Sequence, residues 1–227
     1  MVLKKTIFLF IFFLFAFFSY TQTPKEKFEL SPEQFIDSEK FTGEHWRDYF
    51  LNNKANISKK FELACVVALS HYPELKDVKI KFVEKKIKAT MAARPAGLSI
   101  FRKGPKRKYK IFINNKYNPK GMLLEMFSFD SQTGVVGHEL GHIAWYINRS
   151  TFGIIADGTG YLFPKFRANY EKATDRRTVD HGLGWQLYSF TYQGLHELKM
   201  PEKYLQRKKE IYLSPEEILE YINNQSN

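Results

Sequence analysis

His138-Glu139-Leu140-Gly141-His142 decides how the rest of this chain is read. Residues four apart on an α-helix are separated by about 40° of arc, so His138 and His142 project from one face and can grip one metal ion. Glu139 leans to the side of that pair, where a carboxylate can take a proton from water without competing for the metal. Gly134-Val135-Val136-Gly137 before the motif and Ile143-Ala144-Trp145-Tyr146-Ile147 after it keep apolar residues at helical spacing. That pattern predicts one buried helix over about 131–148, with Ser131 as its N-cap. Gly137 and Gly141 are poor helix formers, each costing about 1 kcal/mol relative to alanine, so another element or the metal is expected to come close there. The chemistry served by this spacing is metal-assisted hydrolysis.

Away from the motif the period changes. Residues 78–83, 98–101 and 109–113 alternate apolar and polar side chains, with Gly104-Pro105 between the last two, and read as a small antiparallel or mixed sheet. Ser31-Pro32-Glu33-Gln34 carries a capping signature that opens a short helix; helices at about 43–53 and 57–72 follow, the last stopped by Tyr72-Pro73. Downstream, Gly153, Gly158, Gly160 and Pro164 predict a turning stretch. A long helix from about Phe166 to Gly194 comes next, and Ser214-Pro215-Glu216-Glu217 opens a final short one. Helices before and after one small sheet make an α+β domain.

The first residues pair Lys4-Lys5 with an unbroken apolar run from Ile7 to Phe18 and small residues at Ser19 and Thr21. This is the pattern of a secretory signal peptide over residues 1–21, and the run is shorter than the about 20 residues of a transmembrane helix. An uncleaved N-terminal anchor is the alternative. Residues 22–227 then fit a single domain. The one cysteine, Cys65, lies in the apolar stretch Leu63–Leu69 and is expected in the core, which excludes an intramolecular disulfide. An exported chain without disulfides suits a bacterial periplasm or exterior. The net charge is +11, much of it in Arg102–Lys110. No nucleic-acid motif accompanies it, so the run is expected to be a solvated hairpin tip, with an anionic envelope surface as the alternative partner.

Catalytic zinc usually takes three protein ligands and leaves the fourth position open. An extended His-x-x-Gly-x-x-His arrangement would need glycine at 145 and histidine at 148, where the chain has Trp145 and Asn148. Asp157 sits in Ala156-Asp157-Gly158, a turn signature, and nothing local supports His181. Glu171-Lys172-Ala173-Thr174-Asp175 places two carboxylates one helical turn apart, so one can ligate while the other orients a ligand histidine. The competing reading is a solvated helix face shared with Lys172, Arg176 and Arg177. Glu171 is the preferred third ligand.

His138-Glu139-x-x-His142 followed by Glu171-x-x-x-Asp175 resembles the gluzincin metallopeptidases, in particular the minimal gluzincins and the catalytic core of the CaaX-prenyl-protease and heat-shock membrane-protease family. The resemblance covers about residues 78–194. It implies a zincin-like fold, one Zn2+ held by His138, His142 and Glu171, Glu139 as general base and acid, and Asp175 behind a ligand histidine. It also implies an endopeptidase that lays an extended peptide or unfolded protein along the edge of the small sheet, with the hairpin from about Thr90 to Asn114 as the element to watch. For the transition-state oxyanion, His181 is favoured over Arg177, Tyr188, Tyr192 and His196. Tyr117, Met122, Leu123, Met126, Phe127 and Phe129 either line a hydrophobic pocket or cover the core. The rival reading is a zinc-stabilised envelope protein that binds peptides or anionic surfaces without cutting. Glu139 favours the enzyme, because a purely structural site has no need of a base there.

Overall fold

The computed structural model describes residues 50–119 and 121–225. The signal peptide read over 1–21 and the helix opening at Ser31 lie outside those residues, and of the helix expected at 43–53 only the end, at Phe50 and Leu51, is described.

Helix α1, Glu62–Ser70, carries buried side chains at Ala64, Cys65, Val66, Val67, Ala68 and Leu69. It is apolar on most sides and therefore central, with Cys65 in the core as expected. A four-stranded mixed sheet follows the order β1-β2-β4-β3, where β1 is Lys54–Ala55, β2 Lys79–Glu84, β3 Met91–Pro95 and β4 Lys108–Ile113. The β1/β2 and β2/β4 pairs are parallel, and β3/β4 is antiparallel. In β2, buried Ile80 and Phe82 alternate with exposed Lys79 and Lys81, which is the period that made the strand readable.

The hairpin over 90–114 forms, closed at its base by the Asn114 amide donating to the Thr90 carbonyl at 2.9 Å. Its first arm is not the expected 98–101 segment. That segment is a 3-10 turn, Gly97–Phe101, with no buried residue, and the strand is Met91–Pro95. The alternation in Leu98-Ser99-Ile100-Phe101 is matched by no burying face. Ala92-Ala93 has little alternation to show, yet pairs fully with β4.

Helix α2, Phe129–Ile147, carries the His-Glu-x-x-His motif. Ser128, not Ser131, is its N-cap and accepts from the Ser131 amide at 3.3 Å; Ser131 sits inside the helix with its hydroxyl 2.8 Å from that of Ser189. The glycine-rich stretch expected to turn is helix α3, Thr151–Gly160, capped by Ser150. Helix α4, Pro164–Thr178, gives way to a π-turn, Val179–Leu183, and then to α5, Gly184–Tyr192. The single helix expected over 166–194 is thus broken at Gly182, whose φ of +78° lies in the left-handed region. Helix α6, Glu202–Ile211, is an addition to the expected elements: Tyr204, Leu205 and Ile211 mark one face of it, and Tyr204 and Ile211 are buried. Helix α7, Pro215–Gln225, begins where expected, with a reciprocal box: the Glu217 amide donates to Ser214 Oγ at 3.2 Å and the Ser214 amide to Glu217 Oε2 at 2.8 Å. Among the described residues no helix is long and apolar enough to cross a membrane.

Val136, Leu140 and Ile143 of α2 join the main core with Phe82, Ile111 and Leu183. The close crossing of α5 explains the glycines. A Cβ on Gly134 would lie 2.2 Å from the Gln186 carbonyl oxygen, and one on Gly137 2.5 Å from Leu183 Cδ1, so another chain segment, not a metal, occupies the space a side chain would need. Gly134→Ala is expected to destabilise the domain by about 1–3 kcal/mol or more, since backbone cannot yield as a side-chain tip can. Gly158→Ala on α3 meets nothing within 4 Å and is expected to be neutral or to gain up to about 1 kcal/mol. Denaturant unfolding of the two variants checks the contrast.

Candidate metal centre

Helix α2 presents His138 and His142 on one face, and α4 crosses it to deliver Glu171. Glu171 Oε2 is 3.1 Å from His138 Nε2 and 3.4 Å from His142 Nε2, and the three donor atoms all lie within 4.8 Å of one another. Two ligands each about 2.0–2.1 Å from a tetrahedral ion are about 3.3–3.4 Å apart, so the two separations between Glu171 and the histidines already approximate the spacing of ligands on one ion. All three side chains are buried.

The orientation of each ligand is built by neighbours. Asp175 Oδ1 is 2.8 Å from His138 Nδ1, and Asp175 Oδ2 accepts from the Leu213 amide at 2.9 Å. An ionised carboxylate only accepts, so Nδ1 of His138 carries a hydrogen, and it is Nε2 that gives up its proton and turns its lone pair to the centre when a cation binds. The Thr174 hydroxyl donates to the Tyr170 carbonyl at 3.1 Å and lies 3.3 Å from His142 Nδ1. With its proton committed, Thr174 Oγ1 accepts from that ring, which turns His142 Nε2 inward too. The Tyr161 hydroxyl donates to Glu171 Oε1, leaving Oε2 for the centre.

Burial alone would lower the pKa of His138, but the hydrogen bonds and charges of Asp175 and Glu171 outweigh it and push the imidazole up to about 10. Burial works the other way on Glu171, yet the facing histidines hold its carboxyl well below the usual carboxylate range. Without an ion the cluster is therefore a carboxylate held against a protonated imidazole. Because the folded pKa of His138 is raised, its contribution to the stability of the metal-free protein is complete below about pH 6.5 and fades as pH rises toward 10. A cation must displace that proton. Metal affinity is expected to strengthen with rising pH, and calorimetry near neutral pH in buffers of different protonation enthalpy should record about one proton released per ion. Binding with no proton release would contradict the assignment.

Glu139 follows His138 and stays outside this cluster. Its Oε2 is buried with no hydrogen-bond partner in the protein. The Ala93 backbone on β3 hydrogen-bonds its carboxyl, but burial dominates and raises the pKa. An orphaned buried oxygen costs about 1–3 kcal/mol, and its position beside three convergent donors fits a site that takes in a polar molecule.

Two spaces meet at the cluster. A cleft of about 400 Å³ runs along Ala92, Ala93 and Pro95 of β3, past the two histidines, to Asp157 and Tyr161. An apolar cavity lies on the other side of His138 and Glu139, walled by Met91, Met122, Val135, Leu187 and Phe190. Met122 is thus on the expected pocket wall, whereas Met126 and Phe127 pack with Met200 and Tyr204 in a neighbouring apolar cluster and Tyr117 is exposed. Tyr212 and Lys208 also line the cavity. The Tyr212 ring is 5.7 Å from that of His138, and the Lys208 ammonium stands 4.2 Å from the Tyr212 ring centroid.

None of Arg177, His181, Tyr188, Tyr192 and His196 lines either space. His181 is engaged elsewhere: Nδ1 is 2.7 Å from the Arg177 carbonyl, Nε2 is 2.9 Å from Glu74 Oε1, and the ring stacks on Tyr72 at 4.1 Å. Six residues beyond Asp175 is about 240° around a helix, which carries His181 off the face that Asp175 uses. Asp157 belongs to a helix and not a turn; it is buried and braces α2 to α3 by accepting from Trp145 Nε1 at 3.0 Å and from Arg149 Nη2 at 2.7 Å. Thr174, Tyr161, Lys208 and Tyr212 were not foreseen. Thr174 lies three residues after Glu171, so helical spacing alone could have found it; the others come from separate elements and leave no local signal.

Compared with known protein families, with characterised proteins and with solved structures, the chain matches none. What the fold establishes here is a buried His138–His142–Glu171 cluster able to hold a metal ion.

Proposed function

We propose that this protein is an exported zinc-dependent endopeptidase of gluzincin type with a zincin-like fold. The observation that carries the reading is the partnerless Glu139 Oε2, buried beside two imidazoles and a carboxylate whose outer atoms are already hydrogen-bonded. Two nitrogens and one oxygen in a closed cluster suit zinc better than the all-oxygen shells of calcium or magnesium. When bound, the ion supplies Lewis acidity: it polarises a carbonyl and acidifies a water toward about pH 7.

The remaining work falls to the chain. Glu139 takes the proton of the attacking water and returns it to the leaving amine, and its burial favours the protonated form between those two events. Asp175 and Thr174 keep the imidazoles oriented, and Tyr161 does the same for Glu171. The outer edge of β3, which among the described residues pairs only with β4, runs beside Glu139 and accepts an extended peptide as an added strand. The apolar cavity receives one large side chain next to the scissile bond, and Tyr212 and Lys208 are among the donors that line it. Unfolded proteins and flexible segments are the substrates this arrangement fits.

The test is incubation of the purified protein with a mixed peptide library, followed by mass spectrometry of the products. Cleavage should be abolished by a chelator, restored by zinc, and biased toward a large apolar residue at one position flanking the cut. If no library is cut in a zinc-dependent way, the non-catalytic reading of a zinc-stabilised envelope protein replaces this one. Export is checked by N-terminal sequencing from an envelope fraction, with a start near Gln22 expected; a chain beginning at Met1 in the soluble cytoplasm removes that part of the proposal.

A further inference from the structure

Five large apolar side chains stand in solvent around α3. Leu98 is 83 % and Phe101 67 % exposed on the Gly97–Phe101 turn, Phe152 is 84 % exposed on α3 itself, and Leu162 and Phe163 after it are 77 % and 63 % exposed. The turn and the helix are fastened together. Thr151 Oγ1 donates to the Ile100 carbonyl at 2.9 Å, and the buried Arg107 guanidinium donates to the carbonyls of Ile100, Tyr146 and Arg149 at 3.1, 2.8 and 2.7 Å. The apolar residues are therefore displayed by a braced scaffold.

The charge that flanks them along the chain is almost all of one sign. Between residues 85 and 124 the sequence holds twelve lysines and arginines and no aspartate or glutamate. Between 140 and 170 the only acid is Asp157, which is buried and paired with Arg149. Arg107 and Tyr109 of the basic run are turned inward, whereas Arg102, Lys103, Lys106 and Lys108 are exposed, as is Lys165 beside Phe163.

We infer that this face seats in the headgroup layer of an anionic lipid bilayer, with Leu98, Phe101, Phe152, Leu162 and Phe163 entering the acyl boundary and the surrounding lysines and arginines meeting lipid phosphates. Aromatic and leucine side chains set among unopposed cations are the composition of an interfacial surface. A second copy of this chain is disfavoured as the occupant, because it would bring positive charge against positive charge. The inner side of α3, through Ile154, Asp157 and Gly158, lines the cleft, so seating this face places the cleft beside the lipid surface. The inference goes beyond the peptidase reading and does not depend on zinc.

The full chain is labelled with a polarity-sensitive dye at Phe152→Cys, and separately at Leu162→Cys; Cys65 is buried and does not compete. Glu220→Cys, exposed on α7, is the control. On mixing with phosphatidylcholine–phosphatidylglycerol vesicles, the dyes at 152 and 162 should shift to the blue and lose quenching by aqueous iodide, the shift should shrink in high salt and on pure phosphatidylcholine, and the dye at 220 should not change. The apolar run at residues 7–18 can bind vesicles by itself, so the readout is the dye and not co-sedimentation. Dyes that stay in water while the protein pellets with vesicles overturn the inference, as does an equal shift on neutral vesicles. A blue shift without vesicles also overturns it, marking a second copy if it grows with protein concentration and a segment of the same chain if it does not.

Discussion

Glu139→Gln is expected to leave zinc content and thermal unfolding near those of wild type while peptide hydrolysis falls by about 10²–10⁴-fold, the scale of general acid–base catalysis. The two jobs of the motif are separable because Glu139 contributes no atom to the donor cluster, which consists of His138, His142 and Glu171. Glutamine keeps the shape and the helix. It also breaks no bond at Oε2, which has no partner in the protein, and it relieves the cost of holding a carboxylate in a buried place. What it removes is a carboxylate, with an unpartnered oxygen beside the cluster, that can accept a proton and give it back. Metal analysis, a melting curve and the peptide-library assay on one preparation decide the matter. Full activity would sink the role assigned to Glu139, and loss of zinc would make the residue structural.

The second large effect concerns the ligand that comes from outside the motif. Glu171→Ala removes the oxygen that faces both Nε2 atoms and leaves the Tyr161 hydroxyl without its acceptor. Zinc affinity should fall by more than the about 10–100-fold expected of a residue that only orients a ligand. Asp175→Asn is the comparison for that smaller loss: an asparagine amide cannot accept from both His138 Nδ1 and the Leu213 amide as the two carboxylate oxygens do. His181→Ala should leave affinity unchanged, since that ring is engaged with Glu74 and the Arg177 carbonyl. Competition against a chelating dye ranks the three variants; zinc retained by Glu171→Ala and lost by His181→Ala would reassign the third ligand.

Much of the donor cluster is legible in the chain because its spacings are local. His138 and His142 are one turn apart, Glu139 is their neighbour, and Glu171 and Asp175 repeat the same spacing on a second helix. What the spacing does not contain is the crossing of α2 and α4 that brings Glu171 Oε2 to 3.1 Å from His138 Nε2. Gly134 and Gly137 permit the nearby approach of α5, but a glycine in a sequence does not name the segment that will fill the space beside it. The oxyanion donor shows the limit most clearly. His181 looks suitable by residue type and nearness to Asp175, yet helical geometry carries it away, while Lys208 and Tyr212 arrive from α6 and its C-cap, whose spacing marks a helix but does not say what that helix will face.

By itself the sequence determined the elements whose own period or capping chemistry specifies them: β2 and β4 through alternation, α2 through its apolar stripe, α7 through the Ser214–Glu217 box, and the α+β class that follows from their order. Tertiary structure alone decided that residues 91–95 and not 98–101 form the edge strand, that the glycine-rich stretch after Ser150 is a helix, and that Tyr161, Thr174, Lys208 and Tyr212 surround the cluster. The physical reason is one of range. Capping and alternation act over a few residues and leave a mark in the chain, whereas strand pairing, the brace from Asp157 to Trp145 and Arg149, and the convergence of side chains on one buried point draw their free energy from contacts that exist only once the chain has closed on itself.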